Sequence, residues 1–245
     1  MGINKNIVII AAAGNGTRMK HSVNKQYIML GGLPVIVRTI KRFQEISEIT
    51  DIYIAVNPDE IKYFNSEIIE KYLTKASKIR KIISGGKLRF DSVFAALKAS
   101  KGDNRNEKTA NVIIHDGVRP FFSKQCITKG LELLKKEVGV ITGVKLKDSV
   151  VIEDKSFHID TSLNRDKLVA VQTPQFFKLD VLYTCYKEAI KLGLKPTDDS
   201  AVLTASNFRV KIIEGDYMNL KLTTPEDMIF AEVILSMQRD IHNVS

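Results

Sequence analysis

Short runs of valine and isoleucine alternate along this chain with segments of helical period, and that alternation limits the folds open to it more than any other feature. Ile7–Ile10, Ile52–Val56, Ile82–Ile83, Val112–Ile114, Val138–Thr142 and Val210–Glu214 read as strands. Their near-continuous apolar character suits burial on both faces. Between them, Pro34 opens a segment that puts Ile36, Ile40 and Phe43 on one face. Asn57 and Pro58 make a cap and first turn for a helix burying Ile61, Phe64, Ile68 and Tyr72. Phe90, Val93, Phe94 and Leu97 share a third helical face, and Ile127, Leu131 and Leu134 a fourth. Residues 102–109 are polar and read as a surface loop. A helix over Lys178–Leu192 stops at Gly193, and a short one follows Thr197. In the last helix start, Thr224-Pro225-Glu226-Asp227, Thr224 caps and Asp227 reaches back. The rhythm predicts an α/β protein: an open, mostly parallel, Rossmann-like sheet with helices on both faces.

Residues 143–171 break the pattern. Val144, Leu146, Val150 and Ile152 are interspersed with charge, and polar stretches follow at Asp154–Ser156 and Asp160–Asn164. This predicts a protruding extended arm that packs on something, such as a second subunit. With no repeat, low-complexity tract or linker, residues 1–245 are expected to form a single domain. The 44% hydrophobic content supports a sizeable core. A formal charge of +9 favours anionic partners, either nucleic acid or phosphorylated small molecules. The basic residues are spread out and no RNP-type aromatic motif accompanies them, which argues against a specific nucleic-acid surface. Cys126 and Cys185 belong to no CxxC and are expected to be reduced, partly buried thiols. No run approaches the ~18 apolar residues of a membrane span, and no signal-peptide pattern opens the chain; the expectation is a cytoplasmic protein without membrane attachment.

In open α/β sheets the ligand lies beyond the carboxyl ends of the strands, and four polar clusters fall there. The first is residues 11–19, Ala-Ala-Ala-Gly-Asn-Gly-Thr-Arg-Met. Small residues with Gly14 and Gly16 let backbone approach a ligand closely, and Arg18 can fork onto phosphate oxygens. The loop is neither GxGxxG nor a P-loop. The second cluster, Gly85–Ser92, allows close approach to a flat base; Ser92 and Asp91 either meet that base or cap the next helix, and Arg89 is either structural or holds the loop. In the third, His115–Pro120, Asp116 and Arg119 end a buried strand, where an unpaired charge is costly: they pair with each other or hold substrate. Asp116 can bind sugar hydroxyls or help position a metal, and Arg119 can clamp a phosphate. His115 follows isoleucines and suits a structural imidazole. The fourth cluster is Lys145–Ser149. Lys25 and Lys221 add cations, with Lys221 directed to one face by its alternation with Leu220 and Leu222. Thr173 and Thr197 can each donate to a phosphate or sugar oxygen, and Thr197 can equally be a helix cap. No Ser/His/Asp or Cys/His triad is present, and the four histidines lack zinc spacing.

In order along the chain stand Ala12-Ala13-Gly14-x-Gly16-x-Arg18-Met19, Lys25-Gln26-Tyr27, Gly85-Gly86-x-x-Arg89-x-x-Ser92-Val93, His115-Asp116-x-x-Arg119-Pro120, Gln172-Thr173-Pro174-Gln175-x-Phe177, Thr197-Asp198 and Asn219-x-Lys221-x-Thr223-x-Pro225-Glu226-Asp227. Together they resemble the 2-C-methyl-D-erythritol 4-phosphate cytidylyltransferases of non-mevalonate isoprenoid biosynthesis, from about residue 6 to residue 235. The resemblance implies a nucleotidyltransferase fold, CTP as co-substrate, Mg²⁺, a polyol phosphate acceptor and release of pyrophosphate. It further implies that Arg18, Lys25 and Lys221 are catalytic and that Ala13, Gly14, Gly16, Gly86, Ser92 and Asp116 bind CTP. Arg119, Ser149, Arg165, Thr173 and Thr197 are then implied to hold the acceptor phosphate, with the 143–171 arm embracing a second subunit of a homodimer and Arg165 serving the neighbour's site. No metal ligand is implied beyond Asp116.

Several positions depart from the family pattern. Asn24 stands where proline often precedes Lys-Gln-Tyr, which is expected to loosen the loop. Asp116-Gly117-Val118-Arg119 replaces Asp-Ala-Ala-Arg and leans toward the sister family, the ribitol-5-phosphate (pentitol phosphate) cytidylyltransferases. Ser149 replaces a commoner threonine, and Lys87 stands where an acidic residue occurs. Gln175-Phe176-Phe177 and Thr197–Ala201 lean back toward methylerythritol phosphate.

Overall fold

The computed structural model describes residues 5–14, 24–104 and 109–243, with side chains through residue 238. The chain starts with β1 (Lys5–Ala12). After a 3-10 turn at Lys25–Tyr27 come the short pair β2 (Met29–Leu30) and β3 (Leu33–Pro34), then α1 (Val35–Gln44) and β4 (Asp51–Val56). Asn57 caps the next turn as expected, its side chain accepting from Asp59 N at 3.1 Å. A 3-10 turn, Pro58–Glu60, leads into α2 (Ile61–Tyr63), a π-helical run (Phe64–Ile69) and α3 (Glu70–Tyr72). β5 (Ile79–Ser84), α4 (Arg89–Asp103), β6 (Ala110–Asp116), α5 (Lys124–Leu133) and β7 (Gly139–Lys145) follow. Beyond the arm strands β8 (Val151–Glu153) and β9 (Ile159–Ser162) lie β10 (Val169–Lys178), α6 (Leu179–Lys191), α7 (Asp199–Ala205), β11 (Lys211–Glu214) and α8 (Pro225–Asn243).

Seven strands form one sheet in the order β11-β7-β10-β6-β1-β4-β5. Every neighbouring pair is parallel except those made by β10, which runs antiparallel to both β6 and β7. Strand alternation sorts the side chains to two cores. Val8 and Ile10 of β1 pack with α1, α5 and the 61–72 coil on one face, while Ile7 and Ile9 pack with α4, α6 and α7 on the other. Both faces are therefore covered, which is why β1, β4 and β6 read as unbroken apolar runs. A third cluster seats α8 against Leu30, Val35, Phe121 and Leu222.

Two expectations need correction, and one strand was not expected. Residues 172–177, assigned no element from the sequence, lie within the long central strand β10; a bulge between Gln172 and Gln175 and the proline at 174 hide it from pattern reading. The polar loop is shorter than 102–109: α4 runs through Asp103, and Asn104 is buried with its side chain donating to Ser100 O at 2.8 Å. The 143–171 excursion is paired at both ends, since Gly143, Val144 and Lys145 sit in register with Val171, Ala170 and Val169. Among the described residues the β8–β9 hairpin pairs with no other strand, and it carries exposed Ile152, Ile159 and Phe157, the last 85% accessible.

Candidate active site

The carboxyl ends of β1, β5 and β6 surround one cleft of about 740 Å³. Ala13, Gly14, Lys25, Gly86, Ser92, Asp116 and Lys221 line it together with Lys87 and Arg89. Gly16 and Arg18 lie outside the described residues. Among the described lining residues Asp116 is the one acid against four cations, so the cleft favours an anion.

The walls approach closely. A Cβ at Gly85 would stand 2.5 Å from Ala13 Cβ and 3.0 Å from the Val56 carbonyl, so only glycine lets the β5–α4 loop meet the end of β1. Gly85 N donates to Val56 O at 2.7 Å, and Gly117 N to Ala11 O at 2.9 Å, extending the sheet's pairing into the loops. Ser92 is buried in the loop itself: its hydroxyl accepts from Gly86 N at 3.0 Å and donates to Leu88 O at 3.0 Å. Asp91 caps α4 by accepting from Leu88 N at 3.1 Å. Ser92 thus shapes the glycine turn, with its hydroxyl already engaged.

Asp116 is the electrostatic centre. Arg89 Nε donates to Oδ1 at 2.9 Å, Lys221 Nζ stands 2.9 Å from Oδ2, and Arg119 Nε reaches Oδ2 at 3.4 Å. Burial alone would push this carboxyl up, but Arg89, Lys221 and Arg119 together hold it well below the usual carboxylate range. Arg89 also forms an ion pair with buried Asp199 at 2.7 Å, and Tyr186 Oη donates to Asp199 Oδ1 at 2.6 Å. Arg89 therefore ties the β5–α4 loop to both β6 and α7. Burial opposes its charge, and Asp199 and Asp116 more than offset that.

Lys221 owes its direction to the segment around it. Leu222 is fully buried and its N–H donates to Val118 O at 3.0 Å, so the preceding side chain faces the cleft. Asn219 anchors the same segment, its side-chain amide donating to Thr173 O at 2.8 Å while its own carbonyl accepts from Arg119 Nη1 at 2.8 Å. Thr173 is buried with its hydroxyl accepting from Asp116 N at 3.1 Å. Arg119 and Thr173 thus pack behind Asp116 and do not line the cleft. His115 is buried, and its Nε2 meets Arg119 O at 2.9 Å; burial pushes the imidazole down to about 3, so it is neutral and donates there.

Thr197 is exposed, and the cap of α7 is its neighbour Asp198, which accepts from Ala201 N at 2.8 Å. Gln175 ties that cap to the sheet through Nε2 to Asp198 Oδ2 at 2.9 Å. Ser149 and Arg165 lie on the arm, where Arg165 Nη1 donates to Lys147 O at 2.7 Å. The final helix starts with Asp227 accepting from Thr223 N and Thr224 N at 2.7 and 2.8 Å, the expected reach back. Both cysteines are free thiols; burial pushes Cys126 up to about 12 and raises Cys185, which makes each a poor nucleophile.

Asn24 does not leave its loop unheld. Its side-chain amide donates both to Gly14 O and to Glu60 Oε1, each at 3.0 Å. Glu60 was not foreseen, because an acid in the first turn of a helix is expected there for the dipole alone.

The sequence profile of the family described as 2-C-methyl-D-erythritol 4-phosphate cytidylyltransferase matches residues 6–237. A curated protein of that name from Clostridium novyi (strain NT) is 41% identical over 234 residues, covering 95% of this chain and 97% of the relative. Another from Clostridium beijerinckii is 42% identical over 225 residues, covering 91% and 95%. A crystal structure of 4-diphosphocytidyl-2C-methyl-D-erythritol synthase from Anaerococcus prevotii superposes with a TM-score of 0.79 at 34% identity, covering 95% of this chain and 96% of that one. The Francisella tularensis cytidylyltransferase gives 0.79 at 26% identity, covering 93% and 98%.

Proposed function

The chain belongs to the 2-C-methyl-D-erythritol 4-phosphate cytidylyltransferase family, and from that premise we infer that its cleft transfers a cytidylyl group from CTP to 2-C-methyl-D-erythritol 4-phosphate. An acceptor phosphate oxygen attacks the α-phosphorus in line. A new P–O bond forms as the bond to the β-phosphate breaks, and the electron pair leaves with pyrophosphate. The nucleophile is already an anion, so no strong general base is needed; alignment and charge stabilisation do the work. That fits a cleft whose described lining carries no histidine and no cysteine.

The observation that carries this reading is the convergence of Lys25, Lys221 and Gly14 on one cleft with Asp116. Lys25 and Lys221, with Arg18, neutralise the triphosphate and the charge that grows on pyrophosphate. Asp116 receives the ribose hydroxyls and holds Lys221 in place. Ala13, Gly14, Gly16 and the Gly86–Ser92 turn accept the nucleotide. Thr197, Ser149, Thr173, Arg119 and a partner's Arg165 form the acceptor side, Thr173 and Arg119 acting from behind Asp116. This assigns the exposed β8–β9 hairpin to a homodimer interface and residues 1–245 to one catalytic domain. The proposed compartment is the cytoplasm, where CTP is available; no described helix is long and apolar enough to cross a membrane.

Mg²⁺ fits this cleft as a phosphate-bound ion. The described residues hold no cluster of carboxylate, imidazole or thiol ligands. Both oxygens of Asp116, the one lining acid, are already engaged by cations. The ion, when bound, screens phosphate charge. It would be held mainly by phosphate oxygens, and Asp116 would join only by giving up a contact to one of its cations.

The test is to incubate the protein with CTP, Mg²⁺ and either methylerythritol phosphate or ribitol 5-phosphate. Pyrophosphate release with the first acceptor is expected. Preference for the second would overturn the substrate, and inert CTP with both would overturn the reaction.

A further inference from the structure

Lys25 is flanked by two side chains that share one acceptor. Asn24 Nδ2 donates to Glu60 Oε1 at 3.0 Å, and Gln26 Nε2 donates to Glu60 Oε2 at 3.1 Å. Tyr27 Oη also reaches Oε2, at 2.9 Å. Burial, then Glu60, raises that phenol, so it stays protonated and donating. One carboxylate from the turn after β4 therefore grips residues 24, 26 and 27 around the lysine. The remaining hydrogen of the Asn24 amide goes to Gly14 O at 3.0 Å. Turning that amide over would set its oxygen against a carbonyl and a carboxylate, so its orientation is fixed.

The backbone of Asn24, at φ −59° and ψ 132°, is one that proline adopts without strain. A proline here would keep the turn and lose both bonds. The asparagine adds what a proline cannot: a link from Glu60 through the amide to the carbonyl of Gly14. Both Gly14 and Lys25 line the cleft.

We propose that Glu60 is a positioning residue for nucleotidyl transfer, acting through Asn24 and Gln26 to hold the Lys25 backbone in register with Gly14 on the phosphate side of the cleft. It touches no substrate. Its effect is on where one lysine and one carbonyl stand, and a displacement of about 1 Å at such a place costs up to about a hundredfold in rate. The inference rests on the reading of Lys25 as a triphosphate cation.

The test compares CTP with CMP, which shares the base, sugar and α-phosphate but lacks the outer phosphates. Glu60→Gln leaves one acceptor oxygen for three donors and turns an N–H toward them. CTP affinity and kcat/KM for CTP are expected to fall about tenfold, with CMP affinity and the KM for the acceptor changed by less than about twofold. Asn24→Pro should show the same selective loss with an unchanged melting temperature. Losses of CTP and CMP affinity that match each other and track a lowered melting temperature would mean a merely structural role and overturn the proposal. Lys25→Ala separates the two readings. If it weakens CTP while Glu60→Gln does not, the positioning role alone fails; if Lys25→Ala binds CTP as the parent does, the cleft reading fails and this inference with it.

Discussion

Lys221 Nζ stands 2.9 Å from Asp116 Oδ2, joining the segment before α8 to the end of the central strand β6. The lysine side chain is 38% exposed and the carboxylate 8%. The cation can therefore reach substrate while its partner stays fixed. Lys221→Ala should cut pyrophosphate release by about a hundredfold or more. Arg89 still neutralises Asp116 in that variant, and a half-exposed pair contributes at most about 1 kcal/mol. Turnover and urea unfolding measured on the same preparation check both statements.

Arg89 holds two buried carboxylates, Asp116 and Asp199. Removing one member of such a group leaves uncompensated charge, at a cost of about 3–5 kcal/mol. Arg89→Ala should thus unfold at much lower urea, and Arg89→Lys, which keeps charge but not the fork, should lie between it and the parent. Equal midpoints for all three proteins would contradict the arrangement.

The depressed His115 sets an acid limit. Its folded value of about 3 lies below the value near 6.5 of an unfolded histidine, so the unfolded state binds the extra proton. Stability is then complete above about pH 6.5 and falls as pH drops toward 3, by about 1.4 kcal/mol per pH unit for this group. Asp116, held low by its cations, adds loss in the same direction once its unfolded range is entered. Urea titrations from pH 7 to pH 4 should show the slope, and His115→Gln should lose the histidine share of it.

The proposed sharing of Arg165 between subunits makes a mixing prediction. Arg165→Ala and Lys221→Ala chains are each expected to be nearly inactive. Hybrid dimers would carry one intact site, and random reassortment should restore about a quarter of parental activity. No gain on mixing would place Arg165 in its own chain's site or in none.

Gly85→Ala would force the new methyl into Ala13 and the Val56 carbonyl. The expected outcome is a raised KM for CTP with little change in the KM for the acceptor, because the displaced wall lies on the proposed nucleotide side.

Much of this architecture was legible because doubly buried strands leave a simple trace. β1, β4 and β6 have apolar partners on both faces, so their runs are unbroken, and the polar clusters that follow three of the strands converge as strand ends must. β10 was not legible. Gln172, Thr173, Pro174 and Gln175 carry neither alternation nor an apolar run, and the strand's place between β6 and β7 follows from long-range pairing. The partners of Arg89 and Glu60 were hidden for a related reason. Each acts on residues far away in sequence, Asp199 for one and Asn24 for the other, and a local pattern holds no record of such distances. Asn24 shows the converse error: read locally it is a missing proline, and in three dimensions it is a two-way link.

The bond from Arg89 to Asp199 makes α7 and the β5–α4 loop a single mechanical unit. Anyone redesigning this scaffold by rebuilding the segment around Thr197, on the proposed acceptor side, should transplant position 199 and its arginine as a matched set, since altering that segment alone would distort the β5–α4 loop across the cleft.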